Sequence, residues 1–514
     1  MRKIIALLLL SIPLLSFWLS GQANGQEKLF NRDYLIVKAR EKGIVRVIVS
    51  FNDPELQKFL HASRSLKVIS PDIRSSSSEI AAMKKADEDL AGAIWSSALS
   101  LFAGLGLEKK IEHIFKTVSL AVIQADYNDL LVMEGSQQVI RVVEDEAIPL
   151  PEPEPSGDAL NDRALGSYGV DIVNAPQAWA RGYDGRGWHV AVLDTGVRTS
   201  HEMFAGKNIV EACFSTTWAG FSTSLCPGGA AEATGPGSAV PPNEFGHGTH
   251  VSGIAVGSQL GGDMKGVAPG ANLIAVQVFS YIEDWYDVGS FFSDQIKGLE
   301  YVYGLRGDHC IAAANLSLGS GYYSDYCDYD PRKPAIDNLR AAGIAVTVAN
   351  GNDGYCEALN SPACISSAIA VGASDSNDQA YWFNDWHPVM QNIFAPGVAI
   401  FSASSWSDTG YSIRTGTSMA APHVAGAWAI FRQSAPKATV SDIEDAMKNS
   451  GVLVDSGCDT EPSSGPRINV ATTLDYLLAS FDIPTLSETG MILFILLIAG
   501  GAILFIRRWK KTQP

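Results

Sequence analysis

The chain has 514 residues, 46% hydrophobic and 18% charged, which allows about three folded units and is too apolar for a disordered protein. Its net charge is −17, and six of its 38 basic side chains (Arg2, Lys3, Arg507, Arg508, Lys510, Lys511) sit at the extreme ends, so the body between them is more acidic still. A phosphate-binding surface needs clustered Lys and Arg, so nucleic acid is excluded as the expected partner. Collagen-like, coiled-coil and multi-pass membrane classes also fail on composition.

Arg2 and Lys3 precede an apolar run, Ile4 to Leu19, and then small and polar residues up to Gly25. A charged start, a short apolar stretch and a small-residue site predict a signal peptide over 1–25, cleaved after Ala23 or Gly25. Seven cysteines, none before Cys213, fit an exported domain stapled by disulfides. Their spacing predicts Cys213–Cys226, Cys310–Cys327 and Cys356–Cys364, with Cys458 left over. No CxxC occurs, which disfavours zinc-ribbon and thioredoxin-type chemistry.

Residues 26–148 read as a compact α+β unit. Gly43–Phe51 is β-branched and strand-like. Ser76 and Glu79 form a capping-box signature ahead of a helical stretch carrying Ile80, Met83, Leu90, Ile94 and Leu101. Strands are expected at Ile111–Val118, Leu120–Gln124 and Val139–Val143, with a short helix at Tyr127–Glu134. This β-α-β-β-α-β alternation is ferredoxin-like, a scaffold that carries no function by itself. Pro and Glu alternate through Pro155, which marks a linker over 149–158.

From 159 to 478 short apolar strands alternate with helical or Gly-rich segments. The expected strands are His189–Leu193, Leu273–Val278, Ala313–Leu318, Ile344–Ala349 and Ile369–Gly372. Continuous apolar runs of this kind predict an α/β fold, a mostly parallel sheet with helices on both faces. Ligands then bind at the carboxyl ends of the strands, where three polar motifs fall. Val190–Val197 ends a buried strand in Asp194; Gly246–Gly253 (GHGTHVSG) enters a helix; Gly416–Gly426 (GTSMAAPHVAG) sets Ser418 at a helix start. A serine needs a base within reach, an imidazole supplies one, and a carboxylate fixes the imidazole tautomer. Free N–H groups at the helix start suit a developing oxyanion. Each piece has a blander reading: a strand-end Asp is usually a cap, and His250 and His423 read as packed helix residues. HxxH lacks the Glu of a zinc protease motif. The combination decides, in the order Asp194, His247, Ser418, separated by 53 and 171 residues. GxSxG is absent, which excludes the α/β-hydrolase arrangement.

These motifs resemble those of the subtilisin-like serine proteases. The resemblance implies that Asp194 orients, His247 is general base and acid, and Ser418 is the nucleophile. Val346–Gly354 resembles the family's oxyanion segment and implies Asn352, not Asn350, as side-chain donor. Asn315–Gly319 resembles the substrate-pairing strand, which implies Ser317, Leu318 and Gly319 as backbone partners of an extended peptide. Lys265–Val278 and Ala395-Pro396-Gly397 resemble further structural segments. The chain departs from the pattern in a long Gly/Pro-rich insertion holding Cys213 and Cys226. The upstream unit resembles the family's inhibitory propeptide, with an unusually long helical insertion around Ser76–Gly106. The chemistry requires no cofactor; structural calcium is compatible with the resemblance, but its sites are not readable from the sequence.

Met491–Ile506 is a charge-free run of 16 residues followed by Arg507-Arg508-Trp509-Lys510-Lys511. At 1.5 Å rise it covers about 24 Å, close to a bilayer core once flanking residues snorkel. The basic end should stay cytoplasmic. With Ile483–Gly490, 483–511 resembles the bacterial IPTL-type sorting signal, with Thr489 where that motif usually has Trp.

Together these readings predict a bacterial endopeptidase, made as a zymogen, secreted and directed to the membrane or cell surface. Its expected partners are protein or peptide substrates, its own propeptide, the membrane and a sorting enzyme. Two rivals remain: a catalytically dead surface-anchored binding protein on the same scaffold, and a dedicated processing protease of narrow specificity.

Overall fold

A computed structural model describes residues 28–54, 56, 58–59, 77–150, 168–242, 245–259 and 262–481. The expected signal peptide, Ser76, most of the linker, and the tail with Met491–Ile506 lie outside the described residues. Among the described residues no helix is long and apolar enough to cross a membrane.

The N-terminal unit comprises α1 (Arg32–Lys42), β1 (Val45–Phe51), α2 (Ser77–Gly104), β2 (Ile111–Ile114), β3 (Leu120–Ala125), α3 (Tyr127–Gly135), β4 (Val139–Glu144) and β5 (Ala147–Pro149). Its antiparallel sheet has the order β2-β3-β1-β4, which carries the expected β-α-β-β-α-β alternation. Helix α1 was not foreseen, because Leu35, Ile36 and Ala39 are its only buried residues in a charged sequence. The period-two alternation of a strand sorts the sheet's side chains to two faces. Val45, Val47, Val49 and Phe51 pack on the unit's own helices, while Ile48, Leu120 and Val122 join a core shared with the rest of the chain.

The larger unit is built on a ten-stranded sheet. Its strands are β6 (His189–Asp194), β7 (Ile209–Phe214), β9 (Glu232–Thr234), β10 (Asn272–Gln277), β13 (Ile311–Leu316), β15 (Ala345–Ala349), β17 (Ile369–Ser374), β18 (Ile393–Pro396), β21 (Val452–Asp455) and β22 (Ser464–Arg467). The order is β21-β22-β18-β17-β15-β13-β6-β10-β7-β9, parallel except at the two edge strands. All five expected strands are present within a residue or two. Val190 and Val192 of β6 face one helical layer and Ala191 and Leu193 the other, so a continuous apolar run is what a doubly covered strand requires. One layer holds α4 (His247–Val256) and α7 (Thr417–Ser434); the other holds α5 (Phe292–Gly304) and α6 (Lys333–Ala341). Strand order reverses between β6 and β13, which puts a crevice at their adjacent carboxyl ends.

The insertion after Asp194 supplies β8 (Ser222–Ser224), which joins β11 (Ser280–Ile282), β12 (Asp287–Phe291) and β5 in a small antiparallel sheet. Pro149, expected in a linker, is therefore strand. Two short pairs complete the framework: β14 (Ser320–Tyr323) with β16 (Leu359–Ser361), and β19 (Ile400–Ala403) with β20 (Tyr411–Arg414).

Cysteine pairing corrects the sequence expectation. Cys213–Cys226 forms, but the other two bridges are Cys327–Cys364 and Cys356–Cys458, and Cys310 stands outside all three. Cys310 and Cys327 lie beyond opposite ends of β13, whose six residues alone span about 20 Å. A disulfide needs Cα atoms roughly 4.4–6.8 Å apart. Cys356 and Cys364 likewise flank extended β16. Nearness in sequence therefore does not ensure nearness in the fold.

Candidate active site

Asp194 is the last residue of β6 and is 1% exposed. The next residue, Thr195, donates its N–H to Asp194 Oδ1 at 2.7 Å, and its Oγ1 accepts the Gly248 N–H at 3.0 Å. His247 opens α4, fully buried, with Nδ1 at 2.9 and 3.0 Å from the two Asp194 oxygens. A carboxylate only accepts, so Nδ1 carries the proton and Nε2 keeps its lone pair. Nε2 is buried and has no hydrogen-bond partner among the described residues. The approach of helix to carboxylate depends on Gly248, where a Cβ would collide with Gly196 O and press on Asp194.

Ser418 is the second residue of α7 and is 3% exposed. Its hydroxyl donates to Ser317 O at 3.2 Å, so the structure brings Asp194 and His247 into contact but does not join Ser418 to Nε2. Pro422 lies one helical turn on and has no N–H. The Ser418 carbonyl thereby loses its helical donor and instead accepts Ser317 Oγ at 2.7 Å. Ser317 Oγ accepts Asn315 Nδ2 at 2.9 Å, and Asn315 Oδ1 accepts Thr347 Oγ1 at 3.0 Å. A buried chain thus runs from β15 through β13 into the first turn of α7.

Asn352 Oδ1 accepts the Thr417 N–H at 2.9 Å and the Thr417 hydroxyl at 2.8 Å. A backbone N–H can only donate, so this contact fixes the amide orientation and leaves Nδ2 as the donating edge beside the start of α7. Asn350 is committed elsewhere: its Nδ2 donates to Asp385 O at 3.1 Å and to Gln391 Oε1 at 2.5 Å. Ser317 and Leu318 are fully buried and Gly319 half-buried against Asn360 and Ser361.

The other histidines of the motifs are packing residues. His250 Nε2 lies 3.1 Å from both Ile400 O and Ser412 O, and burial holds its pKa well below the usual value. His423 Nδ1 donates to Met419 O at 2.8 Å, and burial lowers its pKa to about 4. Among the described residues no group of three or more His, Cys, Asp or Glu side chains converges as a metal would require. Sequence reasoning missed Thr195, Asn315 and Thr417. Their only signal is adjacency to the residues they hold.

Residues 185–467 match the model of the Subtilase family. The chain is 34% identical over 291 residues to subtilisin BL of Lederbergia lenta, covering 56% of this chain and 92% of that one. It is 32% identical over 349 residues to an extracellular serine proteinase of Thermus sp. (strain Rt41A), covering 67% and 74%. A cold adapted subtilisin-like serine proteinase of known structure gives a TM-score of 0.44 at 28% identity, covering 56% and 90%. The chain belongs to the subtilase family and is a serine endopeptidase.

Proposed function

We propose that Asp194, His247 and Ser418 form the catalytic triad and hydrolyse peptide bonds through an acyl-enzyme. The observation that carries this reading is the buried Asp194–His247 pair, whose Nε2 has no hydrogen-bond partner among the described residues, on a helix packed against the one whose first turn holds Ser418. Substrate lies along Ser317–Gly319 as an added strand. Ser418 Oγ attacks the scissile carbonyl while His247 Nε2 takes the serine hydroxyl proton, and Asp194 stabilises the imidazolium. Asn352 Nδ2 and first-turn N–H groups of α7 hold the oxyanion. The C–N bond breaks as His247 protonates the leaving amine, and water, deprotonated by His247, releases the acyl group. Losing one such donor costs about 2.7–4 kcal/mol of transition-state stabilisation, a magnitude taken from this same family. The test is peptide hydrolysis by purified protein and by Ser418→Ala: activity in the first and none in the second is expected, and equal activity in both overturns the assignment.

The N-terminal unit is proposed as an inhibitory propeptide. Contacts between the two units support this: β5 pairs with β12, and the β1–β3 face is buried on α5 and α6. Glu300 accepts the Lys116 N–H at 3.1 Å and both the N–H and hydroxyl of Thr117 at 2.5 and 2.7 Å. Arg46 is forked between Asp145 and Glu112 and reaches Ser293. Export behind the signal peptide agrees with the extracellular name of the Thermus relative. Direction to the surface rests on the tail's sequence alone: the IPTL-like segment would stand outside the membrane, where a sorting enzyme cuts it.

A further inference from the structure

Asp385 is a fully buried carboxyl that the triad chemistry does not use. It lies behind the loop that carries Asn352. The backbone of 383–386 zips onto that loop: Gly354 N–H donates to Phe383 O at 2.7 Å, Asp385 N–H to Gly351 O at 3.3 Å and Trp386 N–H to Tyr355 O at 2.7 Å. The Asp385 side chain fills the middle of this zip. Its Oδ1 accepts the N–H groups of Asp353 at 3.0 Å and Tyr355 at 2.9 Å, the residues on either side of Gly354. Its Oδ2 accepts Asn360 Nδ2 at 3.0 Å, which also reaches Gly321 O at 2.7 Å and Asp353 Oδ2 at 3.0 Å. Gly351 has φ +121°, and a Cβ there would run into Asp385 Oδ2, so the loop closes on the carboxylate only with glycine.

We infer that Asp385 is a positioning residue for Asn352: its buried carboxylate holds Gly351–Tyr355 in the shape that presents Nδ2 to the reacting carbonyl. Thr417 fixes one end of the Asn352 amide, and Asp385 fixes the backbone behind it. The titratable groups facing Asp385 are Asp353 and Tyr355, both on the loop; from β16 it meets only the neutral Asn360 amide. Burial, with the Asp353 charge adding to it, pushes the Asp385 pKa up to about 7. Above that pH the ionised group accepts all three donors. As pH falls through it, a proton on Oδ2 faces Asn360 Nδ2, two donors meet, and the tie between loop and floor is lost. The oxyanion donor therefore loosens as pH falls through about 7.

This inference rests on the reading of Asn352 as oxyanion donor, so the experiment separates the two. Wild type, Asp385→Asn, Asn352→Ala and the double variant are matured in trans by tagged wild-type enzyme, which is then removed. Each is normalised by fluorophosphonate titration and assayed on one peptide p-nitroanilide across the acid limb and alkaline plateau. Asp385→Asn keeps an acceptor oxygen but turns an amide N–H toward Asn360. It should lower plateau kcat about tenfold or more with KM within about twofold, and change kcat less than about twofold in the Asn352→Ala background. Below about pH 7 log kcat/KM should fall more steeply with pH in wild type than in either single variant. Wild-type kcat in Asp385→Asn, or the same fold-loss in both backgrounds, overturns the inference. Should Asp385→Asn not accumulate folded, the wild-type and Asn352→Ala limbs decide: a steeper wild-type limb supports it, equal slopes overturn it. Wild-type kcat in Asn352→Ala alone instead fails the oxyanion reading and removes the basis of this one.

Discussion

Ser317→Ala probes the link between a strand and the nucleophile's helix. The substitution removes one hydroxyl and leaves the backbone of 317–319 in place. Two buried groups then lose their partners: the Ser418 carbonyl, which Pro422 cannot serve, and one N–H of Asn315. An unsatisfied buried group costs about 1–3 kcal/mol, so about 2–4 kcal/mol is expected after partial relaxation. For a domain of this size each kcal/mol shifts Tm by about 2–4 °C, giving a fall of roughly 4–16 °C. The first turn of α7 also loses its tether to β13, and small misplacement of a reacting group lowers rate by up to about 100-fold. The expected signature is a kcat loss of about tenfold or more with KM little changed, because the peptide-pairing edge survives. Melting of the fluorophosphonate-inhibited protein, which prevents autolysis, and steady-state hydrolysis of a peptide p-nitroanilide read the two effects. Unchanged Tm and kcat would refute the argument that Ser317 replaces the donor Pro422 lacks.

Asp194→Asn should lower kcat about 10⁴-fold by permitting the wrong His247 tautomer, measured on the same substrate. Ser418→Ala should accumulate as unprocessed precursor on an SDS gel; normal maturation in a protease-deficient host would contradict self-cleavage. Non-reducing peptide mapping should recover Cys213–Cys226, Cys327–Cys364 and Cys356–Cys458, with Cys310 alkylated, and any disulfide through Cys310 would contradict the pairing. Intact mass of the mature surface protein tests the tail: a C-terminus between Thr485 and Gly490 fits sorting, one at Pro514 fits a permanent anchor, and full-length protein in the soluble fraction contradicts both. Broad casein degradation would separate a general protease from a processor that cuts one motif.

The parallel sheet was legible because strands such as β6 are covered on both faces and so read as unbroken apolar runs. Asp194, His247 and Ser418 were legible as motifs because each sits where backbone geometry constrains its neighbours: a strand end, a Gly-rich helix entry and a small-residue helix start. What escaped the sequence is set by distance in the fold. The chain Thr347–Asn315–Ser317 connects two strands and a helix, and no spacing along the chain encodes which polar groups meet there. Asp385 is hidden for the same reason, 30 residues beyond the end of the loop it holds. The cysteines show the converse error, since proximity in sequence was taken for proximity in space across β13 and β16. Helix α1 was missed because tertiary contact, not a strong apolar stripe, stabilises it.

Activation of Ser418 by the buried His247–Asp194 pair should make this serine uniquely reactive. Labelling the mature protein with a fluorophosphonate probe, followed by peptide mass spectrometry, reads that reactivity. One adduct per molecule is expected on the peptide containing Gly416–Gly426, at Ser418, absent when the protein is heat-denatured before labelling and formed far more slowly in Asp194→Asn. Labelling at another serine, or labelling of Ser418 at an equal rate in native and denatured protein, would contradict it.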